Sequence, residues 1–123
     1  MSSKETPGTS ILKANAAQME SGSGPEVQLL NALKSAVRER RYGGESISQA
    51  LRELGSFYDS KSMYSKALPV YQENINLWKK NQRDRKFCSN DNARTVVKRN
   101  LGSAYHDMSL THKYMENYPE AIR

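Results

Sequence analysis

Leu54-Gly55-Ser56-Phe57-Tyr58, followed across a polar turn by Tyr64-Ser65-Lys66-Ala67 and then Tyr71, is the stretch that decides the fold. Leu51, Leu54, Phe57 and Tyr58 recur at helical spacing, and so do Ala67, Tyr71, Ile75 and Trp78. Between the two stripes, Asp59-Ser60-Lys61-Ser62 is too polar to extend either one. The pattern predicts two helices joined by a polar turn. Gly55 and Ala67 are small enough to let them approach, and the aromatics fill the space beside them.

The ends of this hairpin are also readable. Ser46-Ile47-Ser48-Gln49 matches a capping box, which predicts a helix start at that point. The second helix is expected from about Tyr64 to Lys80. Pro69 fits without strain only in a first turn, where amide donors have no intrahelical partner, so a start near Lys66 or a slight kink is expected.

The motif comes back downstream. Leu101-Gly102-Ser103-Ala104-Tyr105 repeats Leu54-Gly55-Ser56-Phe57-Tyr58, and Tyr118-Pro119-Glu120-Ala121 repeats the start of the second helix. From about Asn92 a helical stripe runs through Val97, Leu101, Ala104, Tyr105, Met108, Thr111 and Met115. Asn117-Tyr118-Pro119 reads as a break and a new helix start.

Together these residues resemble the tetratricopeptide repeat family, with one complete repeat over 48–80 and a second, truncated repeat over 92–123. Leu51 stands where that family often has an aromatic, and Asn74 where a small apolar residue is usual. Gly55 and Gly102 lie 47 residues apart, against a common period of about 34. Such lengthened repeats are similar to those of kinesin light chains and G-protein-signalling modulators. The resemblance implies an all-α fold of antiparallel helix hairpins, a solenoid fragment. It also implies binding of a peptide or partner helix on the concave face, through Gln49, Arg52, Ser56, Asp59, Arg99, Asn100, Ser103 and His106. In members that clamp a peptide's C-terminal carboxylate, Asn100 would match one asparagine of the clamp. Arg52 takes the place of its lysine and Ser56 that of its other asparagine, and the basic residues of a third repeat have no counterpart.

Ahead of the repeats, Val27, Leu30, Leu33 and Val37 mark a leading helix within 26–45, broken at Tyr42-Gly43-Gly44. Residues 1–25 are rich in Ser, Gly, Thr and Pro and are expected to form a disordered tail. The helical repeats occupy 46–123. The apolar side of the helix after Asn92 lacks a partner, which predicts a continuation of the array or self-association through that face.

Chemistry is sparse. His106 and His112 are six residues apart and do not share a helix face. Cys88 stands alone. Phosphate loops and nucleophile elbows are lacking. The sequence therefore predicts a scaffold or adaptor with no catalytic residues, no cofactor and no metal. No stretch is apolar for the roughly 18 residues needed to span a bilayer, and the start does not read as a secretory signal. A cytoplasmic setting is expected, with a nuclear one as the alternative.

Net charge is +6, and all of the excess lies in residues 79–99. Lys79, Lys80, Arg83, Arg85, Lys86, Arg94, Lys98 and Arg99 there face only Asp84 and Asp91. Lys79, Lys80, Arg83, Arg85 and Lys86 form the densest patch. The alternative function is thus a nucleic-acid-associated or nuclear protein using this segment. The repeat reading treats it as a solvated connection and favours a protein partner.

Overall fold

The computed structural model describes residues 7–16, 24–39 and 44–121. Every regular element described is a helix: α1 (Thr9–Ala14), α2 (Pro25–Glu39), α3 (Glu45–Ser60), α4 (Tyr64–Arg83) and α5 (Asp91–Asn117). Each packs chiefly on its neighbours in sequence. No described helix is long and apolar enough to cross a membrane.

Helices α3 and α4 form a hairpin around three connecting residues. Gly55 meets Tyr71, and Ser48 meets Trp78, so the contacts advance in opposite directions and the pair is antiparallel. The close approach depends on Gly55, where an added Cβ would lie 2.4 Å from Cε1 of Tyr71. Leu51, Leu54, Tyr58, Ala67, Val70 and Tyr71 are buried in this contact, together with Leu30 and Leu33 of α2. Leu51 fills its position without an aromatic, being fully buried.

Asn74 is also fully buried, and a polar network explains how the core accepts it. The Ser48 hydroxyl donates to Asn74 Oδ1 at 2.7 Å and accepts from Trp78 Nε1 at 3.0 Å. Two of the three polar side chains are thereby satisfied; Asn74 Nδ2 has no partner among the described residues.

Glu26 fastens α2 to the hairpin, accepting from the Tyr58 hydroxyl at 2.7 Å and from Lys66 Nζ at 3.1 Å. The ammonium of Lys66 also sits 5.1 Å from the Tyr58 ring centre, a favourable position over a π face.

Helix α5 returns along α4, bringing Tyr114 near its end to Tyr64 at the start of α4. Against α3 the direction is the same. Arg52 pairs with Asp107 and Asp59 with Thr111, so both contacts advance together. Asn90 caps α5 by accepting from the Ala93 amide at 2.8 Å, two residues ahead of the start read from periodicity.

Several sequence expectations are corrected. Within the segment read as a disordered tail, residues 9–14 are helical. Ile11 is buried in the core, and the Gly8 amide donates to Glu73 Oε1 at 3.2 Å. Two neighbouring apolar side chains, Ile11 and Leu12, suffice to dock a short helix on α2 although the surrounding composition is polar. The remaining tail positions 1–6 and 17–23 lie outside the described residues, as do Tyr42 and Gly43 of the expected break.

The capping box does not form. Helix α3 begins at Glu45 after Gly44, whose φ of 67° suits a glycine, and Gln49 donates to Glu53 instead of reaching back. Helix α4 begins at Tyr64, so Pro69 lies beyond its first turn. The proline removes the amide that would pair with the Ser65 carbonyl, at an exposed position of the helix. Finally, 118–121 is not a helix start. Tyr118 is extended, the Ala121 amide donates to the Ser62 carbonyl at 2.8 Å, and Glu120 bonds Ser65.

Candidate functional site

Because α3 and α5 both pack on α4, the space between them is not closed by either one. It forms a groove of about 820 Å³. Gln49, Arg52, Glu53, Ser56, Asp59 and Ser60 line it from α3, and Asp107, Leu110 and Tyr114 from α5. Tyr64 and Tyr71 belong to its α4 side, and Tyr118 and Pro119 close one end.

Two side-chain bridges cross it. Arg52 Nε lies 2.9 Å from Asp107 Oδ2, an ion pair with the guanidinium side about half exposed. Deeper in, Asp59 receives the Thr111 hydroxyl at 2.9 Å and the Tyr71 hydroxyl at 3.1 Å. Thr111 is fully buried, so this bond is shielded from water. Burial pushes the Asp59 carboxyl above the usual carboxylate value; the two hydroxyl donors oppose that shift and the charge of Asp107 reinforces it. The Tyr71 hydroxyl is pushed well above its ordinary value, first by burial and then by the neighbouring Asp59. It remains a neutral donor at any physiological pH.

An aromatic cluster forms the other part of the groove. Tyr114 lies between Tyr64 and Tyr118, with ring centres 6.0 and 6.4 Å away. These separations are typical of rings in favourable mutual contact.

Of the eight residues read as a peptide-binding face, Gln49, Arg52, Ser56 and Asp59 line the groove. Arg99, Asn100, Ser103 and His106 do not. Arg99 and His106 are exposed elsewhere on α5, and the Asn100 amide donates to the Val96 carbonyl of its own helix. The α5 residues at the groove are instead Asp107, Leu110 and Tyr114. Their spacing of three and four was visible in the sequence. Transferring the first motif's register onto the longer helix selected positions nearer its start.

The two motif copies sit in different surroundings. Leu54, Gly55, Tyr58, Tyr64, Ala67 and Tyr71 are buried. In the second copy Leu101 is half-buried, Gly102 has no atom within 4 Å of an added Cβ, and Tyr105 and Tyr118 are 46% and 58% exposed. Ala121 is exposed.

The basic patch lies apart from the groove, at the end of α4 and in the connection to α5. Lys80, Arg83, Arg85 and Lys86 are exposed and Lys79 is half-buried. Cations here complement the C-terminal dipole of α4. The connection is folded. Asp84 accepts from the amides of Lys86 and Phe87, and the Phe87 ring lies 6.4 Å from that of Trp78. Cys88 Sγ lies 3.3 Å from the Asn81 carbonyl and donates to it. Among the described residues, no three His, Cys, Asp or Glu side chains converge as metal ligands would.

No family model, curated protein or solved structure matches the chain.

Proposed function

We propose that this chain is a non-enzymatic protein-interaction module of the tetratricopeptide type, a scaffold or adaptor that receives a peptide or partner helix between α3 and α5. The observation that carries this reading is the groove itself: a concave surface of about 820 Å³, polar on its α3 side and aromatic on the other. Further support comes from the packing of α3 on α4 through Gly55 and Tyr71, and from α5 running in the same direction as α3. Helix stacks present such surfaces rigidly, and binding then costs little ordering of the receptor.

The test is selection of binders from a displayed library of random peptides, followed by Ser56→Arg and Tyr114→Ala. Ser56 is exposed and Tyr114 half-buried, so neither replacement empties the core. Loss of binding in both variants, with the helical signal intact, supports the groove. Binders indifferent to both substitutions reject it.

The uncovered second motif supports self-association through α5 as a further property of the same module. Tyr105 and Met115 are its exposed large residues, 46% and 40% accessible. Tyr105→Arg is then expected to lower the sedimentation coefficient at high protein concentration.

A second reading, nucleic-acid association through the basic patch, is favoured by the exposure of Lys80, Arg83, Arg85 and Lys86. It requires a steep fall of DNA or RNA affinity with salt. A flat salt response, or one unchanged by reversing those four charges, rejects it.

A further inference from the structure

We infer that the occupant of the groove is a basic peptide, one that places a lysine or arginine side chain between the carboxylates of α3 and the tyrosine cluster around Tyr114. This deepens the interaction-module reading and rests on it.

The ionisable side chains along the groove, apart from its tyrosines, are Arg52, Glu53, Asp59 and Asp107. Arg52 and Asp107 neutralise each other across 2.9 Å. Glu53 and Asp59 then remain, and among the described residues neither forms an ion pair. Their hydrogen-bond partners are neutral: Gln49 for Glu53, and Thr111 and Tyr71 for Asp59. The groove is therefore locally anionic in a chain whose net charge is +6. Composition alone points to an acidic partner, and the groove points the other way.

The aromatic side agrees. Tyr114, with Tyr64 and Tyr118 beside it, lines the same groove as the carboxylates. A cation gains from a ring face and from a carboxylate at once, whereas an anion gains from neither. A peptide C-terminal carboxylate would require a free cation, and the guanidinium at the groove is already engaged by Asp107. The carboxylate-clamp assignment of Arg52, Ser56 and Asn100 thus gives way to recognition of the opposite charge.

Backbone capture is illustrated at the end of the groove. There the extended segment 118–121 donates its Ala121 amide to Ser62, so the turn between α3 and α4 accepts hydrogen bonds from extended chain.

The test uses the full chain and a displayed library of random peptides of about twelve residues. Binders are sorted by sensitivity to Ser56→Arg and Tyr114→Ala, then re-measured against Glu53→Gln and Asp59→Asn. Glu53→Gln changes an exposed position on α3 and poses no folding risk; Asp59→Asn keeps an acceptor for Thr111 and Tyr71. Enrichment of Lys and Arg among groove-sensitive binders is expected. So is a loss of about tenfold in affinity when both carboxylates are neutralised, steeper at low salt. Groove-sensitive binders that are acidic or neutral and unaffected by Glu53→Gln overturn this inference while leaving the interaction module standing. Binders that ignore every groove substitution overturn both.

Discussion

Tyr71 lies so close to Gly55 that a Cβ on the glycine would come within 2.4 Å of its ring, and the same ring's hydroxyl donates to Asp59 at 3.1 Å. One contact therefore sets both the spacing of the hairpin and the position of a groove carboxylate. Gly55→Ala must push the ring or separate the helices. The expected loss of stability is about 2 kcal/mol, in the range for overpacking a close contact. Urea unfolding measures it, and a neutral result would mean that the two helices are not held at this distance.

Gly102 provides the matched control. It occupies the corresponding place in the second motif, yet an added Cβ meets nothing within 4 Å. Gly102→Ala is expected to stabilise the isolated chain by about 0.5–1 kcal/mol, because alanine loses less backbone entropy in a helix. If the face is covered in an assembly, the same substitution weakens the assembly while stabilising the monomer. Unfolding at low and high protein concentration separates the two effects.

These paired glycines also show what the sequence reveals and what it hides. Periodicity and the small and aromatic residues of the first motif were sufficient to read α3 and α4 as a hairpin, since both faces of that contact lie within one short stretch. The groove was half legible. Its α3 side, Gln49, Arg52, Ser56 and Asp59, is what the repeat resemblance implies, but its α5 side depends on how far a 27-residue helix advances before it meets α3. Chain spacing does not encode that advance. It is set in three dimensions by Arg52 reaching Asp107 and Asp59 reaching Thr111. The same limitation applies to α1, where docking by Ile11 outweighs a composition that reads as tail.

Ser48 joins Asn74 and Trp78, and all three are buried. Ser48→Ala leaves the indole N–H and the Asn74 carbonyl oxygen without their shared partner. A cost of about 2–3 kcal/mol is expected, since each stranded polar group retains its desolvation penalty. Asn74→Ala leaves the Ser48–Trp78 bond in place and removes an amide nitrogen that already lacks a partner, but also opens space in the core. The double variant should therefore lose less stability than the sum of the two single effects. Additive losses in a double-mutant cycle would show that the three groups do not act as a unit.

Asp59 links stability to pH. Its folded carboxyl titrates above the ordinary value of 3.8, chiefly because it is desolvated. The folded state therefore holds the proton more tightly than the unfolded chain does. The contribution of Asp59 is fully present below the unfolded value and is lost as pH rises through the raised folded value. Asp59→Asn abolishes this dependence while retaining an acceptor for both hydroxyls. Relative to the parent chain, the variant should gain stability between about pH 3.5 and pH 7. Urea midpoints at the two pH values provide the comparison, and carboxylates not coupled to Asp59 cancel in the difference. Thr111→Val should enlarge the parent's dependence, because it removes a donor that favours the ionised form. An unchanged difference between the two pH values would place Asp59 in water.

Helix α4 starts without a side-chain cap from its own N-cap residue, Met63, and without an acid in its first turn. Glu120, 55 residues after Ser65, supplies both functions. One of its carboxylate oxygens accepts from the Ser65 amide at 3.1 Å and the other from the Ser65 hydroxyl at 2.7 Å. The acid satisfies an amide that has no partner inside the helix and places negative charge near the positive end of the helix dipole. Glu120→Ala is expected to cost about 0.5–1 kcal/mol, a typical value for losing a cap. The effect should also be local. Amide exchange should accelerate at Ser65 and, because Ala121 donates to Ser62 from the adjoining residue, at Ala121 as well. Glu120→Gln keeps an acceptor but not the charge, so its loss should be smaller and less sensitive to salt. Equal losses for the two variants would assign the effect to charge alone; unchanged exchange at Ser65 in both would mean that 118–121 is not held against the start of α4 in solution.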